Sequence, residues 1–240
     1  MMNLHHTVAL VTGANRGLGR AIVEALLEAG VPRVYAGTRN SSSSSTDPRV
    51  IPIRLDITDA ESIEAASRLA PDVDLLVNNA GVLAGQPLLA ASDRAAAEYE
   101  MRVNYLGPLA MIRAFAPILA RNGGGAIVNV LSILARVNMP RIGSYSASKA
   151  AALSLTQGVR AELEAQRTRV VAVLPAFVDT DMASSVAAPK LSASAVAAAI
   201  ITALRDGTDE VYPGPAADIA ARLQTNPRAV EQQFAAMSRA

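Results

Sequence analysis

The sequence of 240 residues contains no cysteine and no tryptophan, and aromatic residues make up only 3% of it. Without cysteine the chain can form no disulfide, no thiolate metal ligand and no thiol nucleophile, and we expect no metal site. Neither sign of charge is in excess, since the formal net charge is +1. Nucleic acid is therefore not expected as a partner, and the scarcity of aromatics also argues against a surface for stacking bases.

Long apolar runs are missing too. The longest, residues 195–204, is far short of the roughly 20 residues that a membrane span requires, so we expect no membrane partner. The first residues do not have the layout of a signal peptide, which predicts a cytoplasmic location. With 51% hydrophobic and 18% charged residues, the chain can bury a sizeable core, and we predict a single domain over residues 1–240.

Short apolar runs alternate with longer helical patterns along the chain. The runs predict strands at 8–11, 33–38, 50–55, 73–77, 126–130, 170–174 and 210–212. The other patterns predict helices at 17–29, from a capping box at 58–61 to about 69, from about 93 with a second segment at 104–121, at 145–165, at 192–205 and in a tail over about 216–240. Because the strands are apolar throughout rather than alternating, they favour an α/β fold with a parallel seven-stranded sheet covered by helices on both faces.

A glycine-rich turn joins the first strand to the first helix, with the sequence T-G-A-N-R-G-L-G at residues 12–19. Such a turn allows backbone N–H groups and the helix N-terminus to approach a pyrophosphate. A turn that merely packs closely is the alternative. The spacing differs from the common G-x-G-x-x-G pattern of dinucleotide-binding sites.

The second predicted strand ends in Thr38-Arg39 and has no carboxylate at its end. An NAD site usually has an acidic residue there, which accepts a hydrogen bond from the ribose 2′-hydroxyl. The guanidinium groups of Arg16 and Arg39 suit the 2′-phosphate of NADP instead. NAD remains the alternative cofactor, because surface arginines mean less in a chain with 20 arginines and only two lysines.

Tyr145 and Lys149 are spaced i and i+4, which places a phenol and an ammonium on one face of a helix. A nearby cation favours the phenolate, so we expect a lowered pKa for Tyr145 and a role as proton donor or acceptor near neutral pH. Ser132 follows the fifth predicted strand, where parallel sheets bind ligands, and could donate to a substrate carbonyl oxygen or simply cap a loop. Asn104 is an awkward residue for a helix, since its amide competes with the backbone hydrogen bonds.

These motifs together resemble the short-chain dehydrogenase/reductase family over about residues 7–215. The resemblance includes T-G-x-x-x-G-x-G at 12–19, N-N-A-G at 78–81 and the Asn-Ser-Tyr-Lys tetrad formed by Asn104, Ser132, Tyr145 and Lys149. It implies a Rossmann-type fold, a sheet-bracing role for Asn78 and a water held by Asn104 that relays protons to Lys149. It also implies a cofactor site made of Gly13, Asn15, Arg16, Gly17, Leu18, Gly19, Thr38, Arg39, Asp56, Ile57, Asn79, Ala80, Gly81, Tyr145, Lys149, Pro175, Ala176, Val178 and Thr180.

One departure from the family is Ala176, where glycine is usual, and it puts the backbone path at the floor of the pocket in question. A substrate loop is predicted at about 176–195. Arg136 and Arg141 lie close enough in sequence to offer an anchor for an anionic substrate. The predicted pocket is otherwise apolar, which favours a hydrophobic carbonyl compound; its residues are Val82, Leu83, Ile133, Leu134, Met139, Phe177 and Met182.

The resemblance implies an NADP(H)-dependent oxidoreductase that transfers a hydride between the cofactor and a ketone, an aldehyde or a secondary alcohol, with Tyr145 as general acid and base. The alternatives are an NAD-dependent alcohol dehydrogenase of the same family and a non-catalytic regulator that senses dinucleotides. An epimerase or dehydratase usually has a longer substrate region than this chain offers. Family precedent also implies a homodimer or homotetramer.

Overall fold

Seven parallel strands form one sheet in the computed structural model, which describes residues 2–40, 45–184 and 188–237. The order across the sheet is β3-β2-β1-β4-β5-β6-β7, and all six neighbouring pairs are parallel. The predicted seven-stranded α/β sheet is therefore confirmed. The strands are β1 Val8–Thr12, β2 Arg33–Thr38, β3 Val50–Arg54, β4 Leu75–Asn78, β5 Gly125–Val130, β6 Thr168–Val173 and β7 Glu210–Val211.

The strand order reverses at β1, which lies between β2 and β4. Connections leaving β1 and β4 therefore run in opposite directions across the sheet and open a crevice at its carboxyl edge, where open α/β sheets bind ligands. The segments that follow β1, β4, β5 and β6 all meet at this edge. The sequence motifs lie on those four segments.

Helices cover both faces of the sheet. They are α1 Gly17–Glu28, α2 Ala60–Leu69, α3 Ala95–Met101, α4 Gly107–Arg121, α5 Gly143–Glu162, α6 Ala193–Asp206, α7 Ala216–Thr225 and α8 Pro227–Met237. Because side chains alternate across a strand, Leu10 and Val11 of β1 enter different cores. Val11 packs with residues of α1 and α6 on one face, whereas Leu10 packs with residues of α2, α4 and α5 on the other.

A π-helical turn, Arg102–Leu106, joins α3 to α4 without a break. Asn104 lies in this turn, so the irregularity expected at this asparagine is a widened helical turn rather than a helix end. By length and composition alone the 27-residue stretch Ala95–Arg121 is apolar enough to span a membrane. Half of an apolar 18-residue window within it is buried inside the protein, however, and Met111 and Phe115 of α4 are fully buried against the sheet.

One predicted boundary is corrected by the structure. The N-cap of α2 is Asp59, whose side chain accepts a hydrogen bond from the N–H of Glu61 at 3.1 Å. Thr58, the first residue of the predicted capping box, instead donates a hydrogen bond from its hydroxyl group to the Asp56 carboxylate. The tail forms two helices, α7 and α8, and its last residues, 238–240, lie outside the described residues.

Candidate active site

The glycine-rich turn between β1 and α1 is held against β2. The N–H groups of Gly13 and Ala14 both donate to the carbonyl oxygen of Gly37, at 2.8 and 3.2 Å. Gly19 permits this close packing, because a Cβ atom there would lie 2.1 Å from the carbonyl oxygen of Gly13. Arg16, the N-cap of α1, forms no side-chain cap, so the first N–H groups of the helix point to the carboxyl edge and suit an anion.

The N-N-A-G segment after β4 is tied to the same turn. The Thr12 hydroxyl accepts hydrogen bonds from the N–H groups of Asn79 and Ala80, both at 3.0 Å. The side-chain amide of Asn79 donates to the carbonyl oxygens of Thr12 and Gly13, at 2.9 and 3.3 Å. The two backbone segments thus form one rigid wall of the crevice.

Asn78 braces the sheet from inside, as the family resemblance implies. Its amide donates to Asn129 of the neighbouring strand β5 at 2.9 Å, and Asn129 donates to the Thr156 hydroxyl of α5 at 2.9 Å. All three side chains are buried. Sequence reasoning missed Asn129 and Thr156, although an asparagine inside an apolar strand is itself an indication of a buried polar network.

The adenine and the 2′-phosphate of the cofactor are predicted to bind after β2 and β3. There Thr38 is buried and Ile57 is packed against Gly107. The Asp56 carboxylate accepts hydrogen bonds from the Thr58 N–H and hydroxyl at 2.9 and 2.7 Å. These bonds, and to a smaller extent the nearby charge of Arg39, lower the pKa of Asp56. Asp56 is thus positioned by its own loop rather than by a distant element.

The two arginines predicted to select NADP have different surroundings. Arg39 is exposed and forms no hydrogen bond or ion pair within the described part of the chain. Arg16 forms an exposed ion pair with Asp181, which follows β6, at 2.7 Å. Sequence reasoning did not foresee this pair, because its partners are 165 residues apart.

The predicted tetrad comes together at the carboxyl edge. Tyr145 and Lys149 lie one turn apart on α5, with the Lys149 Nζ atom 5.7 Å from the centre of the Tyr145 ring. That Nζ atom donates to the carbonyl oxygen of Val130 at 3.0 Å. The Ser132 hydroxyl is close enough to the Tyr145 phenol to lower its pKa, and it accepts a hydrogen bond from the N–H of Leu134 at 3.1 Å. The structure confirms the loop cap, while donation from Ser132 to a substrate oxygen stays a prediction.

Asn104 holds the segment that follows N-N-A-G by hydrogen bonds. Its amide accepts from the Val82 N–H and donates to the Val82 carbonyl oxygen, both at 2.9 Å. It also donates to the buried Ser148 hydroxyl at 2.9 Å. A Cβ atom at Gly81 would lie 3.2 Å from the Asn104 oxygen and 3.5 Å from the Lys149 Nζ atom, so Gly81 is the residue that both side chains flank.

Burial dominates the ionisation of the site. Burial raises the pKa of Tyr145, the Ser132 hydroxyl opposes this rise, and the smaller effect of the Glu100 carboxylate adds to it. The expectation that Lys149 lowers the pKa of Tyr145 is wrong for this structure. Lys149 is itself only 5% exposed, and burial lowers its pKa to about 8, because the interior disfavours both charged forms.

The segment after β6 closes the crevice from the other side. Pro175 accepts a hydrogen bond from the Ile133 N–H at 2.9 Å, and Val178 pairs with Leu191. The methyl group of Thr180 would lie 3.3 Å from a Cβ atom at Gly17, so this segment borders the glycine-rich turn. Residues 185–187 of the predicted substrate loop lie outside the described residues.

The alanine at position 176 does not strain this segment. Among the described residues, the only non-glycine residue with a positive φ is Arg167. Ala176 therefore has a backbone conformation open to any residue, and the usual glycine is not required there for conformational reasons.

Most of the predicted pocket forms one apolar cluster with Tyr145. This cluster contains Leu83, Ile133, Leu134, Met139 and Phe177, together with Ala216, Val230 and Phe234 from the last two helices. Two of the predicted pocket residues lie outside this cluster: Val82 packs with the core on one face of the sheet, and Met182 is 46% exposed. Arg136 pairs with Glu210 at 2.6 Å and lies over the Tyr212 ring, so it is not free to anchor an anionic substrate.

Sequence reasoning also missed Glu100. This side chain is fully buried, and its Oε1 atom accepts a hydrogen bond from the Ala84 N–H at 2.8 Å. Its position four residues before Asn104 puts both side chains on the same face of the helix, which is a signal that the sequence does contain. Only the structure shows that this face borders α5, through the hydrogen bond from Asn104 to Ser148.

Comparisons with known proteins agree with this geometry. Residues 7–191 match the family model described as short chain dehydrogenase. The chain is 37% identical over 190 residues to carbonyl reductase (NADPH) 2 of Sus scrofa, and the match covers 77% of each protein. Among solved structures, a short chain dehydrogenase from Burkholderia cenocepacia J2315 in complex with NADP is 49% identical, with a TM-score of 0.93 and coverage of 97% of this chain and 99% of that one. A short chain dehydrogenase/reductase from Burkholderia phymatum in complex with NAD is 26% identical, with a TM-score of 0.86 and coverage of 97% of both chains.

Proposed function

Because the chain belongs to the short chain dehydrogenase family, we propose that it is an NADP(H)-dependent oxidoreductase that interconverts a ketone or aldehyde and the corresponding alcohol. One observation carries the proposal: the Tyr145 phenol is buried beside the Ser132 hydroxyl and one helical turn from Lys149, at the carboxyl edge of the sheet. This arrangement offers two hydroxyl groups to a single substrate oxygen and a cation next to them.

The residues present fit a dinucleotide. A side chain at Gly19 would occupy the space into which the turn packs, and the uncapped start of α1 offers N–H groups to a pyrophosphate. Arg39 and Arg16 would hold the 2′-phosphate. The Asn79-Ala80-Gly81 backbone and Thr180 flank the remaining part of the crevice. When bound, the nicotinamide would supply or accept the hydride.

NADP is preferred over NAD in this proposal for two reasons. The end of β2 carries Arg39 and no carboxylate, which favours a phosphate over a hydroxyl group. The Burkholderia cenocepacia relative at 49% identity is a complex with NADP, whereas the NAD complex is 26% identical. NAD is the second candidate that this last structure supports.

Different side chains of the protein would donate the proton, bind the reacting oxygen and relay protons. In carbonyl reduction, Tyr145 donates a proton to the alkoxide oxygen as it forms, and Ser132 donates a hydrogen bond to the same oxygen. Lys149, with a pKa of about 8, is mostly an ammonium at pH 7 and would bind ribose hydroxyls. Asn104 fixes the backbone of Val82 beside Gly81 and would complete the relay through water.

The substrate class follows from the apolar cluster around Tyr145. Leu83, Ile133 and Phe177 offer hydrocarbon surface. Of the two arginines considered as anchors, Arg136 is paired with Glu210 and Arg141 is exposed. A hydrophobic carbonyl compound without a carboxylate or phosphate group fits these surroundings best. The expected homo-oligomer and the cytoplasmic location stay predictions.

Substitution of Tyr145 by phenylalanine tests the function. We expect calorimetry to show that the wild type and Tyr145→Phe bind NADPH equally well, and that both bind it more tightly than NADH. The variant's turnover of apolar ketones should fall by about three orders of magnitude or more. Tyr99→Phe, which changes a partly exposed tyrosine on α3, is the matched control and should keep full activity.

Three outcomes would contradict the proposal. Near-normal turnover by Tyr145→Phe would remove the phenol from the mechanism. Tighter binding of NADH than NADPH would reverse the cofactor assignment. Binding of neither dinucleotide by the wild type would contradict the function as a whole.

A further inference from the structure

The segment that follows N-N-A-G carries two neighbouring leucines on the protein surface. Leu88 is 59% exposed and Leu89 is 98% exposed. A single exposed leucine is ordinary on a protein surface, so exposure alone assigns these side chains no role. Their position relative to the candidate active site is what gives them one.

Hydrogen bonds hold the first half of this segment. Asn104 binds the N–H and the carbonyl oxygen of Val82, both at 2.9 Å. Four residues earlier in the chain, the buried Glu100 carboxylate accepts from the Ala84 N–H at 2.8 Å. Leu83 lies between these two points and packs in the apolar cluster of the candidate active site. The start of the segment is therefore part of the pocket wall.

The second half lies against the start of α5. The Ser144 hydroxyl donates to the carbonyl oxygen of Gln86 at 3.2 Å. Leu88 packs so closely on Gly143 that a Cβ atom at this glycine would lie 2.7 Å from the Leu88 Cγ atom. Gly143 is two residues before Tyr145, or about 3 Å along the helix axis. Leu88 thus lies beside the helical turn that carries the phenol.

Apolar surface joins the pocket to the two exposed leucines. Ile142, the neighbour of Gly143, packs against the same cluster as Tyr145. The apolar surface therefore leads from that cluster over Ile142 and Gly143 to Leu88, with Leu89 next to it in the chain. Apolar surface that continues a pocket in this way is typical of a ligand-binding groove.

We propose that Leu88 and Leu89 form an apolar lip of the substrate site, and that the substrate is a carbonyl compound with an alkyl chain long enough to leave the pocket and lie on them. The inference rests on the proposed function, because it specifies the substrate of that site. The carbonyl group binds at Tyr145 and the chain passes over Ile142. A second copy of this protein on the same leucines is an outcome that the test separates.

Two ketones that differ only in chain length test the proposal, methyl propyl ketone and methyl octyl ketone. Steady-state turnover with NADPH gives kcat/KM for each. In the wild type we expect kcat/KM to be about tenfold or more higher for the longer ketone, because each buried methylene group contributes to binding. Leu89→Ser should lower this ratio by about threefold, and the double variant Leu88→Ser/Leu89→Ser by about tenfold, through a higher KM for the longer ketone.

Leu69→Ser is the matched control. Leu69 is 64% exposed and is the last residue of α2. A helix that follows a parallel strand runs back along the sheet, so this leucine lies towards the amino edge, opposite to the candidate site. The control should keep the wild-type ratio. Size-exclusion chromatography of the wild type and all variants shows whether the molecular mass in solution changes.

The outcomes separate the inference from the function beneath it. If the wild type reduces both ketones with equal kcat/KM, or if the double variant keeps the wild-type ratio, the inference is overturned and the proposed function stands. An unchanged ratio together with a lower molecular mass of the double variant would assign the leucines to an interface between copies of this protein.

Two further results would also count against the inference. An equal loss in Leu69→Ser would overturn it, since the effect would then not belong to this surface. If the wild type reduces neither ketone, the inference is overturned, and the binding of dinucleotides decides whether the proposed function fails with it.

Discussion

Arg16 and Arg39 have the same role in the sequence interpretation, but the structure distinguishes them. Arg39 is exposed and forms no hydrogen bond or ion pair with the described residues, whereas Arg16 is paired with Asp181 across the mouth of the crevice at 2.7 Å. Both partners of this pair are mostly exposed, with side-chain accessibilities of 71% and 77%. Such a pair contributes at most about 1 kcal/mol, and Arg16 has to give up this contact to reach a 2′-phosphate.

Asp181 should therefore weaken NADPH binding by competing for Arg16. We expect Asp181→Asn to bind NADPH up to about fivefold more tightly than the wild type, the ratio that corresponds to about 1 kcal/mol. NADH has no 2′-phosphate, so its affinity should not change. Calorimetric titration of both cofactors measures the effect.

Asp179→Asn is the control for this prediction. Asp179 is exposed, lies two residues before Asp181 and does not contact Arg16, so this variant removes the same charge but leaves the ion pair in place. If Asp179→Asn tightens NADPH binding as much as Asp181→Asn, the effect is one of general charge. If Asp181→Asn weakens binding of both cofactors, the ion pair closes over the dinucleotide instead of competing with it.

At the scale of elements, two glycines inside helices lead to opposite expectations. A Cβ atom at Gly19 of α1 would lie 2.1 Å from the Gly13 carbonyl oxygen and 2.6 Å from the Asn79 amide nitrogen. A Cβ atom at Gly158 of α5 would meet nothing within 4 Å. The first glycine is required by packing, and the second costs helix stability without a packing reason.

Gly19→Ala should lower the free energy of unfolding by about 1–3 kcal/mol, because the clash is with backbone atoms that cannot rotate away. It should also abolish NADPH binding. Gly158→Ala should instead raise the free energy of unfolding by about 0.5–1 kcal/mol, the usual preference for alanine in a helix. Urea denaturation of the two variants checks the opposite signs, and equal effects would contradict the packing argument.

How well a feature could be predicted from the sequence depends on how far apart its interacting residues are in the chain. The strands, the turn at 12–19 and the Tyr145–Lys149 pair depend on residues close in sequence, and they were predictable from apolar runs and spacing. The N-cap of α2 was assigned to Thr58 instead of Asp59, because both can cap and only the backbone angles decide. The closure of the pocket by Val230 and Phe234 was not foreseen, since these residues are about 85 positions or more from Tyr145 in the chain.

The pKa of Tyr145 shows the limit most clearly. The spacing of Tyr145 and Lys149 correctly placed them on one helix face, but the direction of the pKa shift depends on burial and on Glu100. Neither can be obtained from the i, i+4 pattern. The spacing thus predicted which groups meet, while the folded environment decides how they ionise.

At the scale of the whole molecule, the two edges of the sheet have different tasks. The candidate site lies at the carboxyl ends of the strands, whereas Asp74 connects neighbouring strands near their amino ends. Its carboxylate accepts from the Val8 N–H of β1 at 2.9 Å, and its carbonyl oxygen accepts from the Ala126 N–H of β5 at 2.9 Å. Asp74 therefore links three central strands, and burial raises the pKa of its side chain to about 6.

This raised pKa makes the stability of the protein depend on pH. An aspartate in the unfolded chain titrates near 4, so between about pH 4 and pH 6 the folded state binds more protons than the unfolded state. Stability from this group therefore falls as the pH rises through that window, and above it the cost of the buried charge is fully present. The direction is opposite to that of a salt-bridged aspartate.

Asp74→Asn should remove that cost. The asparagine oxygen can still accept from the Val8 N–H, so the link between strands is kept without the charge. We expect the variant to be more stable than the wild type at pH 8, by on the order of 1 kcal/mol for a partly buried group, and the difference to vanish as the pH falls to 4. Urea denaturation across this range measures it, with Asp179→Asn as the exposed control. A stability difference that does not vary with pH would show that Asp74 is not the titrating group, because only a pKa that differs between the folded and unfolded states produces the dependence.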